Sequence, residues 1–350
     1  MMQYNKGEWS ELYALLVIFN ERSIPAADHN LNETKERYDF LEVIREDTPG
    51  KIMHYNLEKD GVVEVLDDNK HIKRIVTIDD LPSKTRRIFE KIKSNNGGTF
   101  SIDEAIELMK KYDIDKVKAE SNKKSDIDAI VRDKITTRSR LGFSVKSQLG
   151  GASTLLNTST HTALKYKVYD ISDISEINKI DGIKNRIKAI NDLGGKIEFS
   201  QICSPIFKGN LRMIDTVLPS IMADMVISYY SGMANKISDL CEIISQDNPF
   251  ELTKDDIDFK VKNFLRAIAL GMVPGKPWNA RLTAYGGYII VKDTGELVCY
   301  HLYNDDDFKD YLYENTKLDT PDAKRHDFGY LYEEDGEKYI DLNFQIRFKK

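Results

Sequence analysis

Residues 126–151 read DIDAIVRDKITTRSRLGFSVKSQLGG, and two short apolar alternations stand out in them. Asp126 to Val131 reads as one strand. Arg138 to Lys146 reads as a second, with Leu141, Phe143 and Val145 on one face and Gly142, Ser144 and Lys146 on the other. A turn over Asp133–Thr137 makes the two a hairpin. That hairpin sets an acid at the start of one strand beside a lysine on its neighbour.

Around it the elements alternate in type. Lys6–Asn20 carries Trp9, Leu12, Tyr13, Leu15, Leu16 and Phe19 at helical spacing. Lys51–Leu57, Val62–Leu66 and His71–Ile78 read as strands, and Leu81–Lys93 as a helix. Ser101 and Glu104 form a capping-box pattern that starts a further helix. After a Gly150-Gly151 loop come strands at Thr154–Asn157 and Leu164–Tyr169. Helix Ile183–Leu193 stops at Gly194-Gly195 before a strand at Lys196–Ile202. Leu211–Tyr230 reads as one buried helix, followed by helices Ala234–Ser245 and Thr253–Leu270. Strands return at Tyr288–Lys292, Glu296–Tyr303, Phe328–Glu333 and Tyr339–Phe348. The mixture predicts an α/β chain of mixed α+β type, with a mixed central sheet flanked by helices. The expected organisation is 1–50 as an N-terminal helix and lead-in, 51–115 as an inserted small subdomain in possible contact with nucleic acid, and 116–350 as the main body.

Composition narrows the class. Over 350 residues the hydrophobic fraction is 41% and the charged fraction 31%, enough apolar material for a core. No apolar run is long enough for a membrane span, and the first ten residues show no signal-peptide pattern. The three cysteines, Cys203, Cys241 and Cys299, have no metal-site spacing and suggest a reducing, cytoplasmic setting. Bulk charge is −6, so binding to nucleic acid has to rest on local charge. Residues 117–150 hold eight Lys or Arg against four acids. Such a stripe can neutralise phosphates, although a solvated surface accounts for the charges equally simply.

Hydrolysis of a phosphodiester needs a cation that stabilises developing charge and a positioned, partly deprotonated water. Magnesium takes oxygen ligands and keeps several waters, so one or two carboxylates suffice. Asp126 is the candidate metal ligand, with the Val145 carbonyl oxygen as a further one. Lys146 is the candidate for balancing charge beside the attacked phosphate. Asp128 shares the face of Asp126 by alternation, so periodicity leaves the choice between them open. An ordinary strand salt bridge explains the pair as well. Gly150–Thr154 lacks the spacing and lysine of a phosphate-binding loop, and His161 and His301 lack zinc-site partners.

A longer pattern adds to this. The string Gly142-Phe143-Ser144-Val145-Lys146-Ser147-Gln148-Leu149-Gly150-Gly151-Ala152-Ser153-Thr154-Leu155-Leu156-Asn157 resembles the nuclease core of HpaII-type restriction endonucleases. Lys6–Tyr13, Ala269–Met272, Gly286–Lys292, Cys299–His301 and Leu342–Phe348 are similar to further segments of that family. The resemblance implies the PD-(D/E)xK nuclease fold, dependence on Mg2+, and cleavage of double-stranded DNA at a short specific site, the family's namesake recognising CCGG. It also implies a partner DNA methyltransferase, and a palindromic site would suit a homodimer. Asp126 matches the motif's strand acid and Lys146 its lysine. Ser144 stands where the motif's second acid is usual. Glu11, and after it Glu8, on the first helix are candidates to replace that acid, and Gln148 is a candidate to line the site. Candidate DNA contacts are Arg138, Arg140, Ser147, Asn157, Lys276, Arg281, Arg325 and His326, with Trp278 and Asn279 nearby. Two other readings stay open: a catalytically silent DNA-binding protein on a nuclease scaffold, and a structure-selective nuclease.

Overall fold

Asn5 opens the first helix. Its Oδ1 accepts from the Glu8 amide at 3.0 Å, and the Glu8 carboxylate accepts from the Asn5 amide at 2.9 Å. This reciprocal cap satisfies two amides that the helix cannot. In the computed structural model, residues 2–117, 125–132, 138–247, 250–282, 286–300, 305–323 and 328–349 are described. The first stretch contains α1 (Lys6–Glu21), β1 (Ser23–Ala27), β2 (Glu33–Thr48), β3 (Lys51–Asn56), β4 (Val62–Leu66), β5 (Ile72–Thr77), α2 (Leu81–Ser94) and α3 (Asp103–Lys111), followed by β6 (Ile127–Arg132) and β7 (Ser139–Ser147). The middle contains β8 (Thr154–Leu156), β9 (Leu164–Tyr169), α4 (Ile174–Asn178), α5 (Ile183–Asp192), β10 (Lys196–Ile202), α6 (Pro205–Ile214), α7 (Leu218–Tyr230), α8 (Ile237–Asp247) and α9 (Lys254–Leu270). The last part contains β11 (Gly287–Val291), β12 (Leu297–Tyr300), α10 (Asp305–Asn315), β13 (Thr316–Asp319), β14 (Leu331–Glu334), β15 (Glu337–Leu342) and β16 (Gln345–Phe348).

These form two compact units, Met1–Ser153 with Thr283–Phe308, and Thr154–Leu282 with Lys309–Lys349. The first is built on a nine-stranded mixed sheet in the order β1-β12-β11-β7-β6-β2-β3-β4-β5. β7 pairs antiparallel with β6 and parallel with β11. One sheet face, with Phe143, Val145, Ile127, Ala129, Ile289 and Val291, is buried with α1, α2 and α3 in a single apolar core. The second unit holds two antiparallel sheets, β10-β9-β15-β14 and β13-β16-β8, with helices α4 to α9.

The mixed α/β character and the hairpin of β6 and β7 agree with the sequence reading. The expected division at 1–50, 51–115 and 116–350 differs from what is observed. β3, β4 and β5 extend the large sheet through β2, and α2 packs on α1, so 51–115 shares the core of the first unit. The helix expected over Leu211–Tyr230 is two helices. Pro219 has no amide to donate, and Asp215 accepts from the Val217 amide at 2.8 Å, which turns the chain between them. Ser101 does not cap α3; Ile102 holds the cap position. The last expected strand, Tyr339–Phe348, is split into β15 and β16 at Asn343-Phe344. β1 and the 16-residue β2 have no counterpart in the sequence reading. Among the described residues no helix is long and apolar enough to cross a membrane.

A buried ion pair ties the chain ahead of β6 to the sheet. Arg45 and Asp47 on β2 meet at 2.7 Å with side chains 4% and 8% exposed. Arg45 donates to the Lys116 carbonyl at 2.9 Å, and Asp47 Oδ2 accepts from the amides of Asp115 and Lys116 at 3.0 and 3.2 Å. Removing one partner strands a buried charge, at a cost of about 3–5 kcal/mol. Asp47→Ala is therefore expected to lower unfolding free energy by that amount in a urea titration, and a change below about 1 kcal/mol would contradict the assigned burial.

Candidate active site

The site starts from register. Asp128 lies opposite Gly142 and Ile127 opposite Phe143, so Asp126 falls opposite Ser144 just before β6 begins. Its amide donates to the Phe143 carbonyl at 2.8 Å. Its Oδ2 accepts from the Val145 amide at 2.7 Å and from the Ser144 hydroxyl at 3.0 Å. Among the described residues, no donor reaches Oδ1. The amide and carbonyl of one strand residue point to the same side. The Val145 carbonyl therefore opens toward the side of β7 that carries Asp126, past the last β6 pair. An anionic oxygen and a neutral carbonyl oxygen together suit a small hard cation that keeps several waters.

Lys146 issues from the face opposite the core. Its Nζ lies 5.2 Å from the centre of the Tyr288 ring. Tyr288 sits on β11 in register with Ser144, and Phe308 meets its ring edge-on at 5.1 Å. The ring's electron-rich face attracts the ammonium and restricts where it points. Sequence reading missed Tyr288. The signal was present, because Tyr288 belongs to the Gly286–Lys292 segment that resembles the family, but only the parallel pairing of β11 with β7 makes it a neighbour of Lys146.

Helix α1 covers the other face. Ser10 donates to the Ser147 hydroxyl at 2.8 Å, and Lys6 Nζ donates to the Leu149 carbonyl at 3.0 Å. Ser147 is thus tied to the helix. Glu11 follows Ser10, is half-buried, and has its Oε2 enclosed. Helix α1 packs on the face of β7 that carries Phe143 and Val145, opposite the face of Lys146. Glu8 is engaged in the cap with Asn5. Gln148 lies one residue past the end of β7 and is exposed, and its Oε1 accepts from the Asp293 amide at 3.2 Å at the β11–β12 turn.

The expected basic stripe is largely neutralised where it is described. Arg132 meets Asp39 at 3.0 Å, Arg138 meets Glu58 at 2.7 Å, and Arg140 meets Asp128 at 3.5 Å, with all three arginine side chains exposed. The last contact also gives Asp128 a partner other than a metal. In the second unit, Asn157, Lys276, Asn279 and Arg281 are exposed, and the half-buried Trp278 donates from Nε1 to the Arg281 carbonyl at 3.0 Å. Arg325, His326 and His301, like the Asp133–Thr137 turn, lie outside the described residues. Among the described residues, no group of three or more His, Cys, Asp or Glu is placed to hold a metal. Burial pushes the Cys203 thiol up to about 11 and that of Cys241 to about 12, away from the range of a nucleophile.

Gly142 sits beside this site because nothing larger fits. A Cβ there would lie 2.8 Å from Ser125 Cβ and 2.9 Å from Asp128 Oδ1. Gly151 has open space around it. Gly142→Ala is expected to cost about 1–3 kcal/mol of stability, measured by denaturant titration, while Gly151→Ala stays within about 0.5 kcal/mol. Equal effects of the two would refute the crowding at Gly142.

A family model described as HpaII restriction endonuclease matches residues 5–348. The type II restriction enzyme HpaII of Haemophilus parainfluenzae is 40% identical over 355 aligned positions, covering 98% of each chain. No solved structure matches.

Proposed function

The chain belongs to the HpaII restriction endonuclease family, and from that premise we propose that it hydrolyses phosphodiester bonds of double-stranded DNA at a short specific site, CCGG, using Mg2+. The observation that carries the reading is the double anchoring of Asp126 Oδ2 by the Val145 amide and the Ser144 hydroxyl. Oδ1 and the Val145 carbonyl are the oxygens that would hold the metal. A bound magnesium ion would supply positive charge for the phosphate oxygens and raise the acidity of a coordinated water.

The chain's own groups do the rest. The Val145 amide and Ser144 hydroxyl fix the Asp126 carboxylate before any substrate arrives, so no reorganisation is needed at the moment of reaction. Lys146, steadied against the Tyr288 ring, holds its ammonium to balance charge that develops on the attacked phosphate. Ser144 then has a role other than ligation: it orients the single strand acid. Glu11 remains the candidate for a further acid on α1. The PD-(D/E)xK fold is part of this proposal, supported by an acid at the start of β6, a lysine on β7 and a flanking α1. So are a homodimer, whose two-fold axis would match a palindromic site, and a methyltransferase that protects the host's own sites. The reading of a silent DNA-binding scaffold rested on Ser144, and the bond from Ser144 to Asp126 gives that serine a part in an active centre.

Digestion of unmethylated duplexes in Mg2+, with fragment ends sequenced, tests the reading. Asp126→Ala and Lys146→Ala are expected to lower cleavage by about 10²–10³ or more while duplex binding persists. Ser144→Ala should fall between these and wild type. Tyr288→Phe should stay close to wild type and Tyr288→Leu should not, because the ring and not its hydroxyl meets the ammonium. Wild-type protein that leaves diverse unmethylated duplexes intact would sink the proposal.

A further inference from the structure

Between Asp258 and Asp293 the chain runs 34 residues without an acid and carries six Lys or Arg, although its net charge is −6. At the centre of that stretch is the loop 273–281, Val-Pro-Gly-Lys-Pro-Trp-Asn-Ala-Arg, in the second unit. Lys260 and Lys262 on α9 are already paired, with Asp215 at 2.5 Å and Asp310 at 2.6 Å. Lys276 and Arg281 are exposed, and among the described residues neither meets a carboxylate. They contrast with Arg132, Arg138 and Arg140, each of which is paired.

The loop is also held in one shape. Asn210 on α6 is 3% exposed. Its Nδ2 donates to the carbonyls of Val273 at 3.3 Å and Lys276 at 2.9 Å, and its Oδ1 accepts from the Trp278 amide at 2.9 Å. One side chain thus bridges both limbs of the loop. Gly275 lies flat on the His161 ring, where a Cβ would come within 2.7 Å of Cδ2. His161 is in turn held by Ser204, whose hydroxyl caps α6. The Trp278 indole closes the far limb on the Arg281 carbonyl. A buried amide that satisfies three backbone groups of one loop lowers the loop's conformational freedom before any ligand binds, and the ordering cost of binding falls with it.

We propose that loop 273–281 is a preformed contact for the phosphodiester backbone of duplex DNA, with Lys276 and Arg281 as its phosphate ligands and Asn210 as the residue that positions them. The inference rests on the reading of the chain as a DNA endonuclease, and it assigns the loop a binding role separate from Asp126 and Lys146. Each lost phosphate contact makes the dependence of log K on log salt shallower by about 0.9. A phosphate ligand and a positioning residue therefore leave different signatures.

The experiment is fluorescence anisotropy of an end-labelled CCGG duplex with the full chain in EDTA, between about 50 and 200 mM salt. Lys276→Ala/Arg281→Ala is expected to weaken binding about tenfold or more and to flatten the salt slope by about 1–2. Asn210→Ala, checked for folding by thermal melt, is expected to weaken binding severalfold with the slope retained, because its charges remain. Gly275→Ala, which dislodges the loop from His161, should behave like Asn210→Ala. Wild-type affinity and slope in the double variant overturn the loop's role, even where the wild-type protein cuts DNA. Wild-type affinity in a folded Asn210→Ala protein overturns the positioning. If Asn210→Ala does not fold, the double variant and Gly275→Ala decide. A wild-type protein that binds no duplex overturns both this inference and the nuclease reading.

Discussion

The register of β7 between β6 and β11 is the constraint on which the rest depends. A shift by one residue would exchange the faces of the strand. Phe143 and Val145 would leave the core, and Ser144 and Lys146 would enter it. Burial of the apolar set fixes the register. Once fixed, it places Asp126 opposite Ser144 and Tyr288 beside it, and it turns the Val145 amide and carbonyl toward the end of β6. The hydrogen bond from the Val145 amide to Asp126 continues the ladder with a side chain where the backbone partner stops. The geometry of the candidate site is thus a by-product of how the core is packed.

Hydrogen bonding answers the question that Ser144 raises. A serine is a poor metal ligand beside a carboxylate, but its hydroxyl is a good donor to one. With Val145 it commits one oxygen of Asp126 to the protein, and among the described residues no donor takes the other. A single acid held in this way fits an ion that retains most of its water. On the opposite face of the sheet, α1 is bound to the end of β7 through Ser10 and Ser147, which brings Glu11 to the same end of the sheet as the strand acid.

Charge follows a similar division of labour. The basic residues beside the hairpin read as a stripe along the sequence, yet those described form ion pairs with Asp39, Glu58 and Asp128 contributed by other strands or turns. Lys276 and Arg281, which are exposed and meet no carboxylate among the described residues, lie on a loop that a buried asparagine shapes. Linear charge counts see both sets alike, because they register the basic residue and not the acid that the fold brings to it.

Local pattern determined a good deal by itself. The alternation over Asp126–Lys146 defined the hairpin, the helical spacing of Trp9 to Phe19 defined α1, and the segments from Lys6 to Phe348 gave the family. It failed where tertiary contact overrides local preference. β2 reads as charged because one face is solvated, while Arg45 and Asp47 are buried only because the 115–116 segment closes over them. The break between α6 and α7 turns on Pro219 and on the amide that Asp215 caps. For the candidate site, sequence pointed to Asp126 and Lys146 through spacing and resemblance. Only the tertiary structure decided which oxygen of Asp126 is held, that Glu8 is engaged in a cap, that Tyr288 meets Lys146, and that Asn210 bridges the 273–281 loop. Each of those depends on groups far apart in the chain meeting within hydrogen-bond or ring-contact distance, and no periodicity encodes such meetings.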